Sequence, residues 1–542
     1  MVRTEPPAKV DALIVGAGFA GLYMLHRMRE RGFSAHVIEV ADDVGGVWHW
    51  NRYPGARCDV PSLEYSYSFS ERLEQEWHWT EHYATQPEIL SYLHHVAMRF
   101  DLRRDISFAT TVTGATFDEP VQRWTVTTDR GDSISAQHCI MATGSLSATR
   151  LPDLPGIANF TGEICHTGAW PRHEVEFAGK RVGIIGTGSS GVQAVPMVAR
   201  EAATLTVFQR TPNFVVPARN GPIAAERLHD WQQNFRDFRA RAKQVGTLYE
   251  FSTTAAAAVS AKDRARELQR RWDKGGVNFI HAFSDLMTNR EANEFAASFV
   301  RDRICEIVHD PVVADHLCPR DYPIGAKRIC VGSAYFETFN RENVTLVNLR
   351  QTPVTQVGPD TICTRAATYP VDVLICATGY DALTGALAQI EITGCRGERL
   401  AEKWAAGPRN YLGLMSAGFP NLFVITGPGS PSVLVNMVVG IEHHVEWIAN
   451  CIADLRMKGA ASIVPLPADE DRWVRHVNDE ADKTLFPLAN SWYLGANIPG
   501  KPRVFLPFVG GIGRYRAICD EVVEAGYAGF AISPGNSNFK DA

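Results

Sequence analysis

Short, densely apolar runs that end in glycine alternate along this chain with stretches in which apolar residues recur every three or four positions. Leu13-Ile-Val15 closes one such run, Leu22, Leu25 and Met28 follow at helical spacing, and Ala35-His-Val-Ile38 reads as a second strand. Residues 11 to about 45 therefore predict a strand-turn-helix-strand unit. A second unit of the same kind begins at Lys180-Arg-Val-Gly-Ile-Ile185. Between them the pattern predicts a helix around Gln86 to Phe100 and strands near Thr111-Val112 and Trp124-Thr-Val-Thr127, then a strand through His138-Cys-Ile-Met-Ala142-Thr143-Gly144. Leu374-Ile-Cys-Ala377-Thr378-Gly379 is a near copy of that last strand. Leu228, Trp231, Phe235 and Phe238, then Phe295, Phe299 and Ile304, form apolar stripes that predict a helical stretch. Asn421-Leu-Phe-Val-Ile-Thr-Gly427-Pro-Gly429 predicts a buried strand entering a turn that opens a helix containing Met437.

The glycines after the two leading strands add chemistry to this pattern. Gly16-Ala-Gly18-Phe-Ala20-Gly21 and Gly186-Thr187-Gly188-Ser189-Ser190-Gly191 both fit G-x-G-x-x-G, the turn that lets backbone and helix N-terminus approach a pyrophosphate. One such turn is a weak signal, but two in the same strand-helix context argue for two dinucleotide sites. Twenty-three positions after the first glycine stand Glu39 in one unit and Gln209, followed by Arg210 and Thr211, in the other. A carboxylate accepts hydrogen bonds from a free ribose diol and repels a 2'-phosphate, so the first unit suits FAD or NAD. The second lacks the acid and offers the Arg210 fork of donors, which suits NADP.

Length and composition narrow the class. A chain of 542 residues is too long for one core. With 45% hydrophobic and 21% charged residues and a net charge of -6, it has no basic excess that would point to nucleic acid. No apolar run approaches the length of about 18 residues that a membrane helix needs, and Met1-Val-Arg-Thr-Glu-Pro-Pro is too charged for a signal peptide, so a cytoplasmic enzyme is expected. The eleven cysteines are scattered with no C-x-x-C, which removes the redox pair of a disulfide reductase. No metal is expected, because Cys and His never cluster at ligand spacing and the adjacent His94-His95 and His443-His444 would face different directions on a helix.

Phe160-Thr-Gly162-Glu-Ile-Cys-His166-Thr-Gly-Ala-Trp170-Pro171 fills every fixed position of F-x-G-x-x-x-H-x-x-x-W-P and resembles the fingerprint of the Baeyer-Villiger monooxygenases. The chain is similar to the type I group that includes phenylacetone and steroid monooxygenases, from Asp11 to about Gly529. The N- and S-oxygenating flavin monooxygenases, which usually lack the Trp-Pro ending, are the alternative, and a flavin-binding sensor without its own substrate is a more distant one. The resemblance implies an α/β protein with two Rossmann-like dinucleotide-binding domains, for FAD and NADP, and a helical insertion. The expected division is 1-150 and 381-542 for FAD, 151-224 and 321-380 for NADP, and 225-320 for the insertion.

The resemblance also implies roles. Gly46, Val47, Trp48, His49 and Trp50 would lie along the flavin, Arg57, Cys58 and Asp59 near the meeting point of flavin and nicotinamide, and Tyr65, Val112 and Met437 among the other cofactor contacts. His49 stands where the family commonly has Tyr. By residue type alone Lys327-Arg328 reads as a solvated loop, but the resemblance makes Lys327 an NADP contact and Arg328 the active-site arginine. Trp492, in the aromatic and glycine-rich stretch Ser491 to Lys501, would reach the nicotinamide from a mobile loop. Ester or lactone formation from a ketone, O2 and NADPH would run through a flavin peroxide that must stay deprotonated. A fixed guanidinium at Arg328, oriented by Asp59, is the natural stabiliser of that charge. Ser145, Leu146, Val433, Leu434 and Met437 are the pocket candidates, and they leave aromatic, cyclic and linear ketones open.

Overall fold

The strand Lys9–Val15 sends side chains to two different cores, Ala12 and Ile14 to one and Val10, Leu13 and Val15 to the other. A strand buried on both faces needs apolar residues at every position, which is why the opening run reads as continuous rather than alternating. The computed structural model describes residues 5–535. In it this strand is central to an eight-stranded sheet. Ala35–Ile38 and Ile106–Ser107 continue the sheet on one side, parallel to it, and Ser133–Met141 lies on the other. The long strand Ser133–Met141 is shared along its length. Its first half pairs antiparallel with Arg123–Thr128, and its last residues pair parallel with Leu422–Val424. Glu391–Thr393 adds to Val112–Asp118 at the edge, so residues far along the chain complete the first sheet.

The second unit is a five-stranded parallel sheet in the order Val344–Asn348, Thr204–Gln209, Arg181–Ile185, Val373–Cys376, Glu163–His166. It too is buried on both faces, with Val182 and Ile184 in one core and Ile185 in the other. The helices Phe19–Glu30 and Ser189–Glu201 follow the leading strands of the two units. The first packs against Met437–Met457, a helix buried almost all round. These two sheets and their helices make the predicted pair of Rossmann-like cores.

Residues 225–320 are helical, with Ala225–Val245, Ala261–Lys274, Arg290–Ile307 and Pro311–Leu317. The chain enters this stretch after Val215–Pro217 and leaves it before Cys330–Gly332, and those two strands pair with each other. The two predicted stripes serve different cores. Trp231, with Leu228, Phe235 and Phe238, packs on the core around the first sheet, whereas Phe295, Phe299 and Ile304 pack on that of the second. The insertion therefore straddles both units.

One local expectation is corrected. The turn after Asn421–Thr426 does not open the Met437 helix directly, because a short 3-10 turn, Ser432–Leu434, intervenes. Asn436 then caps the helix, its side chain accepting from the Val438 N–H, and this side-chain cap was not visible in the glycine-proline pattern. Among the described residues no helix is long and apolar enough to cross a membrane. Residues 1–4, part of the segment read as no signal peptide, lie outside the described ones.

Candidate active site

The two glycine turns are built alike, down to their neighbours. Gly16 has φ +106°, and a Cβ there would meet the Ala142 carbonyl oxygen at 2.6 Å. Gly186 has φ +108°, and a Cβ there would meet the Ala377 carbonyl oxygen at 2.3 Å. This explains why the A-T-G strand ends recur with the glycine turns: each Ala-Thr-Gly corner closes against the first glycine of its own unit. No side chain caps the helices that begin at Phe19 and Ser189, after Gly18 and Gly188. Their first N–H groups are left to an external acceptor, the arrangement that receives a pyrophosphate. Ala20 and Gly21 lie in the first turn of one helix, Ser190 and Gly191 in that of the other.

The ribose positions differ as expected from their chemistry. Glu39 is buried and accepts from the Ala17 N–H at 2.5 Å and the Ala41 N–H at 2.7 Å, one bond on each oxygen. Burial pushes its carboxyl pKa up, and those two bonds oppose the push. Each oxygen keeps a free lone pair for a hydroxyl donor, so the cradle fits FAD. In the second unit Gln209 is buried and donates through Nε2 to the His316 carbonyl, while its Oε1 has no protein partner. Arg210 is exposed beside it, and the Thr211 carbonyl accepts from Thr187 Oγ1 at 2.9 Å. Lys327 lies with its Nζ 4.6 Å from the centre of the Tyr322 ring. Burial, then the positive charges of Arg210 and Arg350, bring its pKa down to about 8, with Asp321 opposing. Such a gathering of cations fits the extra phosphate of NADP.

Arg328 and Asp59 meet in a forked ion pair, Nε to Oδ2 at 2.9 Å and Nη2 to Oδ1 at 2.6 Å. Arg328 Nη1 donates to the Val433 carbonyl at 3.1 Å. The side chains are 28% and 18% exposed, so the pair is sheltered but not sealed from solvent. Burial alone would lower the Arg328 pKa, but the charge and hydrogen bonds of Asp59 outweigh it and hold the guanidinium well above its ordinary value. Tyr493, which sequence reasoning missed, lies close enough to Arg328 to feel its charge, and burial pushes its phenol up to about 12. Lys327 and Arg328 are adjacent yet serve different neighbourhoods, the first the Arg210 side and the second Asp59.

An apolar cluster surrounds this centre: Val433, Leu434 and Met437 from one segment, Trp492, Tyr493 and Leu494 from another, with Phe486 and Phe505. Three buried polar atoms on these segments, Ser432 Oγ, Ser491 Oγ and Asn497 Oδ1, have no protein partner, as a site built for a polar ligand requires. Ser145 and Leu146 belong to a different segment. The Ser145 carbonyl accepts from Leu383 N–H, which sets them along the strand end at Ala377 to Leu383. In the stretch Ser491 to Lys501, Lys501 forms an ion pair with Asp381 and Asn497 Nδ2 donates to the Tyr380 carbonyl at 2.8 Å.

The loop from Gly45 to Asp59 contains one helical turn, Val47–Trp50, and otherwise no regular structure. Trp48 Nε1 donates to the Tyr65 hydroxyl at 3.2 Å, and both side chains are buried. Gly46 approaches Gly18, which brings the loop to the first glycine turn. Cys58 is buried beside Asp59 and burial raises its thiol pKa, so it stays protonated. Arg57 turns toward Glu81 at 2.9 Å instead. Val112 begins the strand between Glu391–Thr393 and Arg123–Thr128 and packs in the core that holds Val15 and Ile38. His49, the departure from the family pattern, is 2% exposed and lies 3.3 Å from Arg172 and 3.4 Å from Asp42, which themselves form an ion pair. Burial first, and then Arg52, lower its pKa to about 4, so it is neutral near pH 7.

The fingerprint proves to be a strand edge with its connections. Glu163–His166 pairs with Val373–Cys376. Phe160 and Trp170 fill cores on opposite sides of the sheet, and a Cβ on Gly162 would meet the Asp372 carbonyl oxygen at 2.2 Å. His166 accepts from the Gly168 N–H at 3.0 Å, while its Nε2 faces Thr378 of the second A-T-G at 3.4 Å. The Trp170 N–H, just before Pro171, donates to the Trp50 carbonyl at 3.2 Å, joining the fingerprint to the flavin loop. The units also touch where the Tyr53 hydroxyl donates to Gln193 Oε1 at 2.7 Å and Gln193 Nε2 donates to the Arg57 carbonyl at 3.1 Å. Neither residue carried a motif signal. Among the described residues no group of three or more His, Cys, Asp or Glu could hold a metal, and His94 and His95 face Asp43 and Glu76.

Two dinucleotide-binding folds in contact, an arginine–aspartate pair beside an apolar cluster, and no C-x-x-C fit a flavoprotein oxidoreductase that acts on a bound organic substrate. Residues 13–246 match the family model described as pyridine nucleotide-disulphide oxidoreductase. The chain is 41% identical over 526 residues to a Baeyer-Villiger monooxygenase of Pseudooceanicola batsensis, covering 96% of each chain. It is 50% identical to oxidized steroid monooxygenase bound to NADP, over 97% of this chain and all of that one, with a TM-score of 0.93. It is also 38% identical to OTEMO in complex with FAD and NADP, over 98% of this chain and 100% of that one, with a TM-score of 0.94. The chain belongs to the Baeyer-Villiger monooxygenases. It is an FAD- and NADPH-dependent enzyme that inserts one atom of O2 beside a ketone carbonyl to give an ester or lactone.

Proposed function

We propose that this enzyme oxidises apolar ketones at a centre formed by Arg328 and Asp59. The observation that carries the reading is the forked Arg328–Asp59 pair set under the Val433, Leu434, Met437 and Tyr493 cluster. When bound, FAD and NADPH supply the hydride transfer and the activation of O2. Arg328 provides a charge that no working pH removes, beside the ketone oxygen as negative charge develops there. Asp59 fixes the guanidinium in its plane through two bonds, and the Val433 carbonyl holds the third nitrogen. The apolar side chains of the cluster bind the hydrocarbon of the substrate and exclude water from the reacting atoms.

Around that centre the first glycine turn, Glu39, the stretch Gly46 to Trp50 and Tyr65 would hold FAD, with Val112 and Met437 at its margins. The second glycine turn, Arg210, Thr211, Lys327 and Trp492 would hold NADPH. Val433, Leu434 and Met437 would face the substrate, with Ser145 and Leu146 further along the cleft wall. This supports a division into FAD-binding segments 1-150 and 381-542, NADP-binding segments 151-224 and 321-380, and the insertion 225-320. A cytoplasmic setting is supported by eleven cysteines that are all free.

The test is a panel of aromatic, cyclic, steroidal and linear ketones, scored by ketone-dependent NADPH oxidation and by product mass. Esters or lactones from the apolar members are expected. Product formed only from amines or thioethers, as N-oxide or sulfoxide, would overturn the assignment.

A further inference from the structure

The helical insertion holds a pair of cysteines that neither dinucleotide unit uses. Cys305 stands in the last turn of Arg290–Ile307 and is, among the described residues, the one exposed cysteine. Cys318 follows the short helix Pro311–Leu317 and is buried. The chain turns back between them, so that Cys318 Sγ lies 3.9 Å from the Arg301 carbonyl, the oxygen toward which the Cys305 N–H points one helical turn along. Arg301 Nη1 donates to the Pro319 carbonyl at 3.3 Å, which holds residues 318 and 319 against that part of the helix. Burial, then the Cys305 thiol beside it, push the Cys318 pKa up, and the Arg320 charge opposes them. Arg320 in turn feels both thiols while it pairs with Asp315 at 2.7 Å. An exposed thiol, a buried thiol and a cation thus meet at one place.

We propose that Cys305 and Cys318 form a reversible disulfide when hydrogen peroxide reaches the enzyme. Peroxide arises at the enzyme itself whenever NADPH and O2 are consumed without oxidation of a ketone, so the oxidant is local. The exposed Cys305 sulfur attacks one peroxide oxygen, the O–O bond breaks, and a sulfenic acid and one water result. The Cys318 sulfur then displaces the hydroxyl of that sulfenic acid, which gives the S–S bond and a second water. Two thiols lose two electrons and two protons in all, and one peroxide is reduced to two waters. Arg320 is placed to favour the thiolate that each step needs. The bond closes a loop over residues 306–317, within which the His316 carbonyl accepts from Gln209 Nε2 at 2.7 Å. Oxidation therefore braces the insertion where it rests on the second dinucleotide unit, and reduction releases it.

The test treats the flavin-loaded full chain with hydrogen peroxide, alkylates the remaining thiols after denaturation, and maps the cysteine peptides by mass before and after dithiothreitol. The parent enzyme is expected to yield peptides joined through Cys305 and Cys318, two hydrogens lighter than the reduced pair, which dithiothreitol separates. Its melting temperature is expected to rise by about 2 °C on oxidation and to return on reduction. Cys305→Ser is expected to abolish both the linked peptides and the shift, with Cys318 still alkylated. Cys318→Ser is expected to leave Cys305 as a sulfinic or sulfonic acid that dithiothreitol does not restore. Oxidation of Cys305 in the parent while Cys318 stays a free thiol would overturn the proposal. So would a disulfide that joins two chains through Cys305, or peroxide treatment that leaves both thiols alkylatable. A melting temperature that falls on oxidation would overturn the bracing role.

Discussion

Arg328 keeps both its charge and its direction because Asp59 occupies two of its nitrogens and the Val433 carbonyl the third. Asp59→Asn keeps the shape and removes the charge, so the guanidinium should lose about 1–2 kcal/mol of positioning, with the partial exposure of the pair already discounted. Ester formation should fall about tenfold in kcat with little change in KM. Steady-state kinetics with a single ketone check this, and an unchanged kcat would reduce Asp59 to a bystander. Lys327 makes a pH prediction. Its partners are Arg210, Arg350, Asp321 and the Tyr322 ring, and its pKa of about 8 leaves it charged below that value and neutral above it. Affinity for NADP+ should therefore fall as pH rises through about 8, while affinity for NAD+ stays level, as titrations across that range would report. At this scale the sequence was uneven. Lys327 and Arg328 were legible only through resemblance, since two adjacent bases after a glycine also describe a surface loop. Tyr493 and Arg350 belong to the same charge networks but sit in no motif.

At the scale of elements, the glycine turns and the fingerprint are places where backbone meets backbone. Gly162→Ala would drive a Cβ into the Asp372 carbonyl, at a cost of about 1–3 kcal/mol, because neither strand can yield far. A lower melting temperature in thermal unfolding is expected, and no change would mean that the edge strand is looser than it stands. The strands and helices of the two units were readable because burial on both faces of a sheet demands unbroken apolar runs, while the helices carry a single stripe. The Met437 helix start was misjudged because its cap is the side chain of Asn436, preceded by a 3-10 turn that leaves no periodic trace. The partners of the Ser491 to Lys501 stretch at Tyr380 and Asp381 lie over a hundred residues away, beyond any local pattern.

At the scale of the whole molecule, the contacts between the two dinucleotide units include the cofactor loops. Gln193 bridges the Tyr53 hydroxyl and the Arg57 carbonyl, and the Trp170 N–H reaches the Trp50 carbonyl. Gln193→Ala should loosen the register between the units. Less ester per NADPH consumed is then expected, with hydrogen peroxide making up the difference, and a peroxide assay run beside product analysis measures that ratio. The insertion takes part in the same assembly, since its first helix packs on one core and its later helices on the other. Sequence periodicity revealed both stripes but not their separate destinations, because a stripe says that a face is buried and not against what. The central claim is that Arg328 supplies the charge for oxygen insertion and is dispensable for the hydride step. The most direct measurement takes flavin-loaded Arg328→Ala, follows bleaching of the flavin absorbance by NADPH without oxygen, and then seeks ester by mass after oxygen and ketone are added. Persistent bleaching with no ester is the predicted result, and ester formed at the rate of the parent enzyme would contradict the account.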